Sequence, residues 1–510
     1  MRVFDDDTLR EALDPGPMPA AAQQKLNDAY ALLGAMPQAK PARAVRPRWR
    51  KAAVLVAAAV LAVGGATAAL AATGGLLPMV QGAVRFFKPQ QPTNLDSIQA
   101  AFEAYNAAVD ASVTDKGITF TVENVSVDQN FINIFGRLTT EASLRERAEQ
   151  ANWTQAVNED GSLGEAYQYY THGLPQRDVA AAAGLFPVVR VNGAVYGADG
   201  SLRDACNLYL EDDHTLVYAR RILLEDALPD TFTMDILASY WTDENGAHQT
   251  LMGVDGDWTV RVAVDTTATK NAVKTLAPGA VTLGGAGKLD LQLFAWTPLG
   301  TLLSADDHVR AVPGTGGEEG LFPDYEQEEG WLSLSEVAVK DDLGNWLYPM
   351  AVASYTAGGP AKVEYTSPAP GANGITFVPV SYAGGAGETR LAPAKEGARL
   401  ELGAGYGFTV ESITTGPQNL TVKLLPYGPH TAMSLEVYPC GADGALLDEN
   451  DRLTLDSYTD HATGAVTLDY YFDIEGEPQG VEQFQYYTWG DLVPDEENAA
   501  TLPLQSAAEQ

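Results

Sequence analysis

The sequence predicts a mainly β protein, with short cytoplasmic helices, one transmembrane helix, and then tandem Ig-like β-sandwich domains outside the membrane. Three observations carry that reading. Residues 52–72 form one uncharged apolar run. Beyond Lys116 the apolar residues alternate with a period of two, as in half-buried antiparallel strands. The 49 Gly and 29 Pro demand frequent turns, which suit many short strands better than long helices.

At 510 residues the chain exceeds what one hydrophobic core organises, so several domains are expected. Residues 1–51 hold nine Lys/Arg against six Asp/Glu, a net +3, and the net charge of −35 therefore leaves −38 on the remaining 459 residues. So acidic a body repels phosphate backbones, which argues against nucleic-acid binding. Solubility in an ionic exterior accounts for the charge most simply, with a cation or a basic partner as the alternative.

The N-terminal segment, 1–51, comes first. Asp5-Asp6-Asp7 precedes Thr8-Leu9-Arg10-Glu11-Ala12-Leu13, an N-capped helical turn or two. After the Pro-Gly-Pro break at 15–17, Pro19 opens a helix running to about Met36. Leu26, Tyr30 and Leu33 recur at i, i+4 and i+7 and share one face. A segment this short cannot bury that stripe within itself, so the three residues are candidate partner-binding anchors of a helix-in-groove contact. Pro37 to Pro47 is a basic linker.

Ala52 to Ala72 is long enough, at about 1.5 Å per residue, to cross roughly 30 Å of hydrocarbon as a helix. Eleven of the 21 residues are Ala, so its insertion is modestly favourable. Lys40, Arg43, Arg46, Arg48, Arg50 and Lys51 crowd its N-terminal side, and only Arg85 and Lys88 follow closely. The positive-inside rule then leaves the N-terminus in the cytoplasm and sends the C-terminal bulk outside. Ala69-Leu70-Ala71 also has the small-residue pattern of a signal-peptidase site, but the preceding region, with its own helix, favours an uncleaved span.

Residues 73–111 form a juxtamembrane region, apolar over Leu76 to Phe87 and helically spaced over Leu95 to Val109 through Ile98, Phe102 and Tyr105. Strand-like alternation follows at Ile118-Thr-Phe-Thr-Val, Trp258 to Val264, Leu289-Asp-Leu-Gln-Leu and Val466-Thr-Leu-Asp-Tyr. Gly117-Ile-Thr-Phe-Thr-Val-Glu-Asn-Val-Ser126 matches Gly405-Tyr-Gly-Phe-Thr-Val-Glu-Ser-Ile-Thr414 at five of ten positions, an echo that points to duplication. Gly/Pro/Glu-rich breaks at 312–330, 357–374 and 383–398 divide the rest into β domains at 112–272, 273–385 and 395–492, before an acidic tail at 493–510.

Recognisable chemistry is sparse. The six His (172, 214, 248, 308, 430 and 461) form no His-Glu-x-x-His pair, and no Gly-x-Ser-x-Gly elbow occurs. Gly314-Thr-Gly-Gly-Glu-Glu-Gly320 lacks the Lys-Ser/Thr of a phosphate cradle. Asp448-Glu-Asn-Asp451 and Glu211-Asp212-Asp213 miss the calcium-loop spacing and read as solvated turn acids. Tyr470, Tyr471, Tyr486, Tyr487 and Trp489 read as strand packing ahead of a sugar platform. Cys206 and Cys440 fall in different predicted domains; two separate thiols is the simpler expectation, and an exterior disulfide the other. No catalytic, cofactor-binding or metal residue is assigned, no cofactor is expected, and an enzyme is not.

Val113-Thr-Asp-Lys-Gly-Ile-Thr-Phe-Thr-Val-Glu-Asn-Val-Ser-Val-Asp-Gln129, behind a span and a short helix, resembles the opening of the domain-of-unknown-function family numbered forty-one seventy-nine. Arg85-Phe86-Phe87, Asp255-Gly-Asp-Trp258 and the Pro19–Pro37 helix are similar to that family as well, and the resemblance covers roughly 15–270. It implies a membrane-anchored protein of a Gram-positive bacterium, described as a candidate anti-sigma factor acting on an extracytoplasmic-function sigma factor. Unlike zinc-binding anti-sigma proteins, residues 1–51 contain neither His nor Cys, so any grip on a sigma factor falls to the helix stripe. Two functions are therefore weighed. One is an envelope sensor that holds a transcription partner inside; the other is a surface-displayed binding or scaffold protein with no regulatory role. The lipid bilayer and an unknown envelope ligand complete the expected partners.

Overall fold

The computed structural model describes residues 76–506 apart from 89–92, 94, 158–162, 199–205, 225–227, 244–245, 313–323, 355–359, 385–386, 433–434 and 448–452. Leu26, Tyr30 and Leu33, the basic linker, the Ala52–Ala72 segment, the Gly-rich run 314–320 and most of Asp448–Asp451 lie outside the described residues. Among those described, no helix is long and apolar enough to cross a membrane. The described chain is mainly β, and all four segments with period-two alternation are strands: Ile118–Val127, Thr259–Asp265, Gly287–Thr297 and Val466–Phe472.

The first sandwich opposes two five-stranded sheets. One runs Ala107–Asp115, Ile118–Val127, Phe131–Thr140, Thr215–Leu223, Cys206–Asp212 in spatial order. The other runs Leu77–Pro78, Thr259–Asp265, Thr231–Leu237, Val188–Val191, Ala194–Tyr196. Phe120, Val122 and Ile134 from the first sheet meet Val189, Ile236 and Val262 from the second in one buried core. Trp258 sits in that core and donates its indole N–H to Ile118 O at 3.1 Å, while the Asp257 amide donates to Asp115 Oδ2 at 3.0 Å. The Asp255–Trp258 motif is thus the clasp on the Lys116-Gly117 hairpin turn, whose two positive φ angles (48° and 77°) suit a turn of the primed kind.

The described part of residues 73–111 is less helical than its spacing suggests. Asp96–Ile98 and Gln99–Ala104 make a short helical stretch, but Val109 belongs to the Ala107–Asp115 strand. Asn106 ends the helix: its side-chain amide donates to Phe102 O at 3.0 Å and to Gly82 O at 2.6 Å, so the last carbonyls find a partner outside the helix. Ala107, Val109 and Ala111 then alternate inward, and burial selects the period of two over the helical one.

This region also covers the outer face of the first sheet. Val84, Phe86, Leu95, Ile98 and Phe102 pack on Phe135, Tyr209, Val217 and Ala219. Phe135 meets Phe102 edge-on, with ring centroids 5.0 Å apart, and Phe86 at a tilt, with centroids 5.8 Å apart. The sheet is therefore buried on both faces. Strand Leu77–Pro78 in turn pairs in parallel with Thr259–Asp265 of the opposite sheet.

The middle sandwich faces a seven-stranded sheet, including Gly287–Thr297, Gly300–Asp306 and Pro360–Tyr365, against a five-stranded one, including Val337–Asp341 and Gly374–Ala383. Its core joins Leu289, Leu303 and Val363 to Val339, Ile375 and Phe377. Residues expected as an acidic tail complete it. Asp491–Pro494 and Ala500–Pro503 both pair with Gly374–Ala383, and Gln505–Ser506 pairs with Lys274–Thr275. Leu502 and Leu504 carry that return by packing against the core.

The third sandwich sets a five-stranded sheet against a three-stranded one (Thr389–Pro393, Gln483–Tyr487, Val437–Cys440). The larger sheet runs Arg399–Gly403, Tyr406–Gly416, Asn419–Tyr427, Val466–Phe472, Leu453–Thr459. That is the strand order of the first sandwich's opening sheet: a three-strand meander, then the fifth strand, then the fourth. The sequence echo lies on the second strand of each sheet. The register breaks between Val122 and Asn124 in one and between Val410 and Ser412 in the other, leaving Glu123 and Glu411 as the extra residues. Each glutamate pairs with a cation on the next strand, Glu123 with Arg137 and Glu411 with Lys423. Shared topology, bulge and ion pair extend the echo from ten residues to a whole sheet.

Candidate functional site

Two clusters of chemically capable side chains stand out among the described residues. The first is where the sandwiches meet. Arg220 and Arg221 are adjacent on the interior strand Thr215–Leu223, so they point to opposite faces, and both are buried. Arg220 donates to Pro187 O at 3.1 Å and Gly197 O at 2.9 Å beneath the ring of Phe186. Arg221 crosses into the middle sandwich, donating to Leu299 O at 2.7 Å and Glu364 Oε1 at 2.5 Å as well as to Asn133 Oδ1 at 3.2 Å. Its guanidinium carbon lies 3.6 Å from the ring centre of Phe131.

Glu364 is buried on strand Pro360–Tyr365, and His461 of the third sandwich brings Nδ1 to 3.3 Å from the same carboxylate oxygen, outside hydrogen-bond geometry. Burial alone raises a carboxyl pKa; here the neighbouring Arg221 and His461 overcome it and hold Glu364 down at about 2. Gly300 lets the chain pass: a Cβ there would fall 2.4 Å from Arg221 Nη2 and 2.8 Å from Phe131. A second contact joins the first and third sandwiches. Asp473 accepts the backbone N–H of Thr171 (2.8 Å) and of His172 (2.7 Å) together with the Thr171 hydroxyl (3.0 Å). Those donors hold its pKa below the ordinary value against the opposing effect of burial. Tyr471 adds a bond from its hydroxyl to Gly173 O at 2.6 Å.

The second cluster sits on one hairpin of the middle sandwich. Asp290 on Gly287–Thr297 stands directly opposite Asp306 on Gly300–Asp306. His308, at φ 47°, follows the second strand; its backbone N–H donates to Asp306 Oδ1 at 2.9 Å and its Nε2 lies 2.8 Å from Asp290 Oδ2. The imidazole stacks on Trp331 with centroids 3.9 Å apart and planes 13° from parallel, and Glu328 lies 3.8 Å from Nδ1. One ligand atom from each of Asp290, Asp306 and His308 lies within 4.8 Å of the others, and all three residues are half-buried.

The sequence pointed elsewhere. Glu211 pairs with Lys88 and Arg137, Asp213 with Arg145, and Asp212 accepts the His214 amide, so that acidic run is held by protein partners. Tyr470 and Tyr486 are core, Tyr471 lies at the contact with the first sandwich, and Tyr487 and Trp489 remain partly exposed. Cys206 and Cys440 are free thiols, in the first and third sandwiches respectively; burial pushes Cys206 up to about 11. Asp290 and His308 escaped notice because they are 18 residues apart and meet only once the hairpin closes. The signal available was Leu289-Asp-Leu, an acid at an alternate position of a strand followed by a short return strand ending in Asp306-Asp307-His308.

The described chain is thus a mainly β protein of packed sandwiches, with the region after residue 76 built into the first of them. Residues 46–140 match the family described as Domain of unknown function (DUF4179), a stretch that takes in the Ala52–Ala72 segment and the first three strands of the opening sheet. The match covers fewer than a fifth of the 510 residues. No curated protein matches the chain. A solved structure described as the crystal structure of the conserved domain protein from Bacillus anthracis is similar over 56% of this chain and 81% of its own, at 11% identity. Its TM-score of 0.30 is too low to assign a shared fold.

Proposed function

We propose that the protein is a single-pass, membrane-anchored sensor whose tandem Ig-like sandwiches lie outside the cell and whose N-terminal helix holds a transcription partner, an extracytoplasmic-function sigma factor, in the cytoplasm. The carrying observation is the charge asymmetry about Ala52–Ala72: six Lys/Arg crowd the side before it, while the chain beyond residue 51 sums to −38. The family match at 46–140 overlaps that segment.

Mechanics favour it too. The chain entering the exterior body is pinned at Leu77–Pro78 to one sheet and by Phe86 and Phe102 to the other. A rearrangement of either sheet therefore pulls on residues next to the span. The helix stripe Leu26, Tyr30 and Leu33 supplies the inner grip.

The test uses the full chain. Leu26→Asp, Tyr30→Asp and Leu33→Asp are compared with the parent for co-purification of a co-encoded sigma factor and for transcription from its promoters. Loss of co-purification with raised transcription supports the sensor. Absence of a partner in the parent, with an unchanged transcript profile in the variants, leaves the surface-displayed binding or scaffold protein as the correct function.

A further inference from the structure

We propose that Asp290, Asp306 and His308 bind one divalent first-row transition ion, with Zn²⁺ as the natural probe. Four features of the hairpin support this. Asp290 and Asp306 are directly opposed across an antiparallel pair, where like charges repel, and a cation between them reverses the sign of that interaction. The third donor is an imidazole nitrogen, and a nitrogen-plus-carboxylate set selects Zn²⁺ and its neighbours over Ca²⁺ and Mg²⁺, which take oxygen.

The geometry lies close to a bound state. Donors about 2.1 Å from a common tetrahedral ion are roughly 3.4 Å apart. The ligand atoms here all fall within 4.8 Å, and the Asp290–His308 contact at 2.8 Å needs only to open slightly.

The ring is already set for the task. Trp331 stacks against it, and the His308 amide is tied to Asp306. Glu328 lies on the Nδ1 side, where a carboxylate orients a metal-bound histidine and makes its other nitrogen more basic. The Glu328 amide donates to His308 O at 3.0 Å, which keeps that carboxylate's backbone next to the ring. Half-burial of all three ligands leaves room for water in the remaining coordination positions. The chain's charge of −35 concentrates cations at its surface, although it does not choose among them. This site does not depend on the sensor reading.

Tag-free full chain in detergent is titrated with Zn²⁺ against a chromophoric chelator, and separately with Ni²⁺ while tryptophan fluorescence is followed. The parent is expected to bind one Zn²⁺ at this hairpin, and Ni²⁺ to quench Trp331. Asp290→Asn and Asp306→Asn, which keep the side-chain shape, are expected to weaken Zn²⁺ at least tenfold, as is His308→Ala. Trp331→Phe should keep the ion and lose most of the quench. The proposal is overturned if both Asn variants bind as the parent does, if the parent binds no Zn²⁺, or if Ca²⁺ displaces Zn²⁺ equally well in parent and His308→Ala.

Discussion

Replacing Glu364 by Gln tests whether the buried ion pair holds the sandwiches together. The substitution keeps the shape and removes the charge, leaving the Arg221 cation with neutral acceptors only: the Leu299 carbonyl, the Asn133 amide oxygen and the amide oxygen of the new side chain. Breaking one side of a buried pair costs about 3–5 kcal/mol, because the remaining charge stays desolvated. The depressed carboxyl pKa points the same way. Glu364 is held at about 2 against an ordinary 4.5, a gap worth roughly 3 kcal/mol at 1.36 kcal/mol per pH unit. The depressed value sets the sign: this stability is fully present above pH 4.5 and is lost as pH falls toward 2.

Urea unfolding of the full chain, followed by tryptophan fluorescence from pH 7 down to pH 3, measures both effects. At pH 7 Glu364→Gln is expected to unfold about 3 kcal/mol more easily than the parent and to show a shallower acid slope. Arg221→Met combined with Glu364→Met should recover much of the loss, since no orphan charge remains. A Glu364→Gln protein within about 0.5 kcal/mol of the parent, with the parent's acid slope, would refute the assignment of this pair as a stabilising contact.

Two further perturbations probe how the sandwiches are tied to each other and to the chain that enters them. Asp473→Asn removes the charge and turns one of the two oxygens that accept from two amides and a hydroxyl of the 171–172 loop into a donor. Hydrogen exchange should rise at those amides at pH 7. In the parent the same rise should appear only as pH falls below the ordinary carboxylate range, since Asp473 titrates low; equal protection in both proteins at pH 7 counts against the contact. Phe135→Ala removes the ring on which Phe86 and Phe102 pack, at a cost of about 3–5 kcal/mol. Residues 76–88 should then lose exchange protection ahead of the sheet core, and unchanged protection would mean that the aromatic cluster does not pin the region.

Much of the strand content was legible because alternation is local: Val466–Phe472 and the first half of Ile118–Val127 bury every second residue, and a period of two records that directly. The Leu95–Val109 region was misleading for a physical reason. Ile98, Phe102, Tyr105 and Val109 fit a helical stripe, yet Ala107, Val109 and Ala111 fit a strand equally well, and Asn106 together with the neighbouring Ile118–Val127 strand decided between them. The ten-residue echo was visible, but the matching strand orders and bulges that make it a repeated sheet were not.

By itself the sequence determined the β character, the strand segments, the separation of a basic N-terminal piece from an acidic bulk, and the family likeness, because each is written in neighbouring residues or in their sum. Tertiary structure alone decided that residues 491–506 return to the middle sandwich and that Glu364 faces both Arg221 and His461. It alone set Asp290 and Asp306 against each other beside His308. Those contacts join residues 16 to 232 positions apart, and such pairings depend on chain closure, register and shared burial, which a local pattern does not encode.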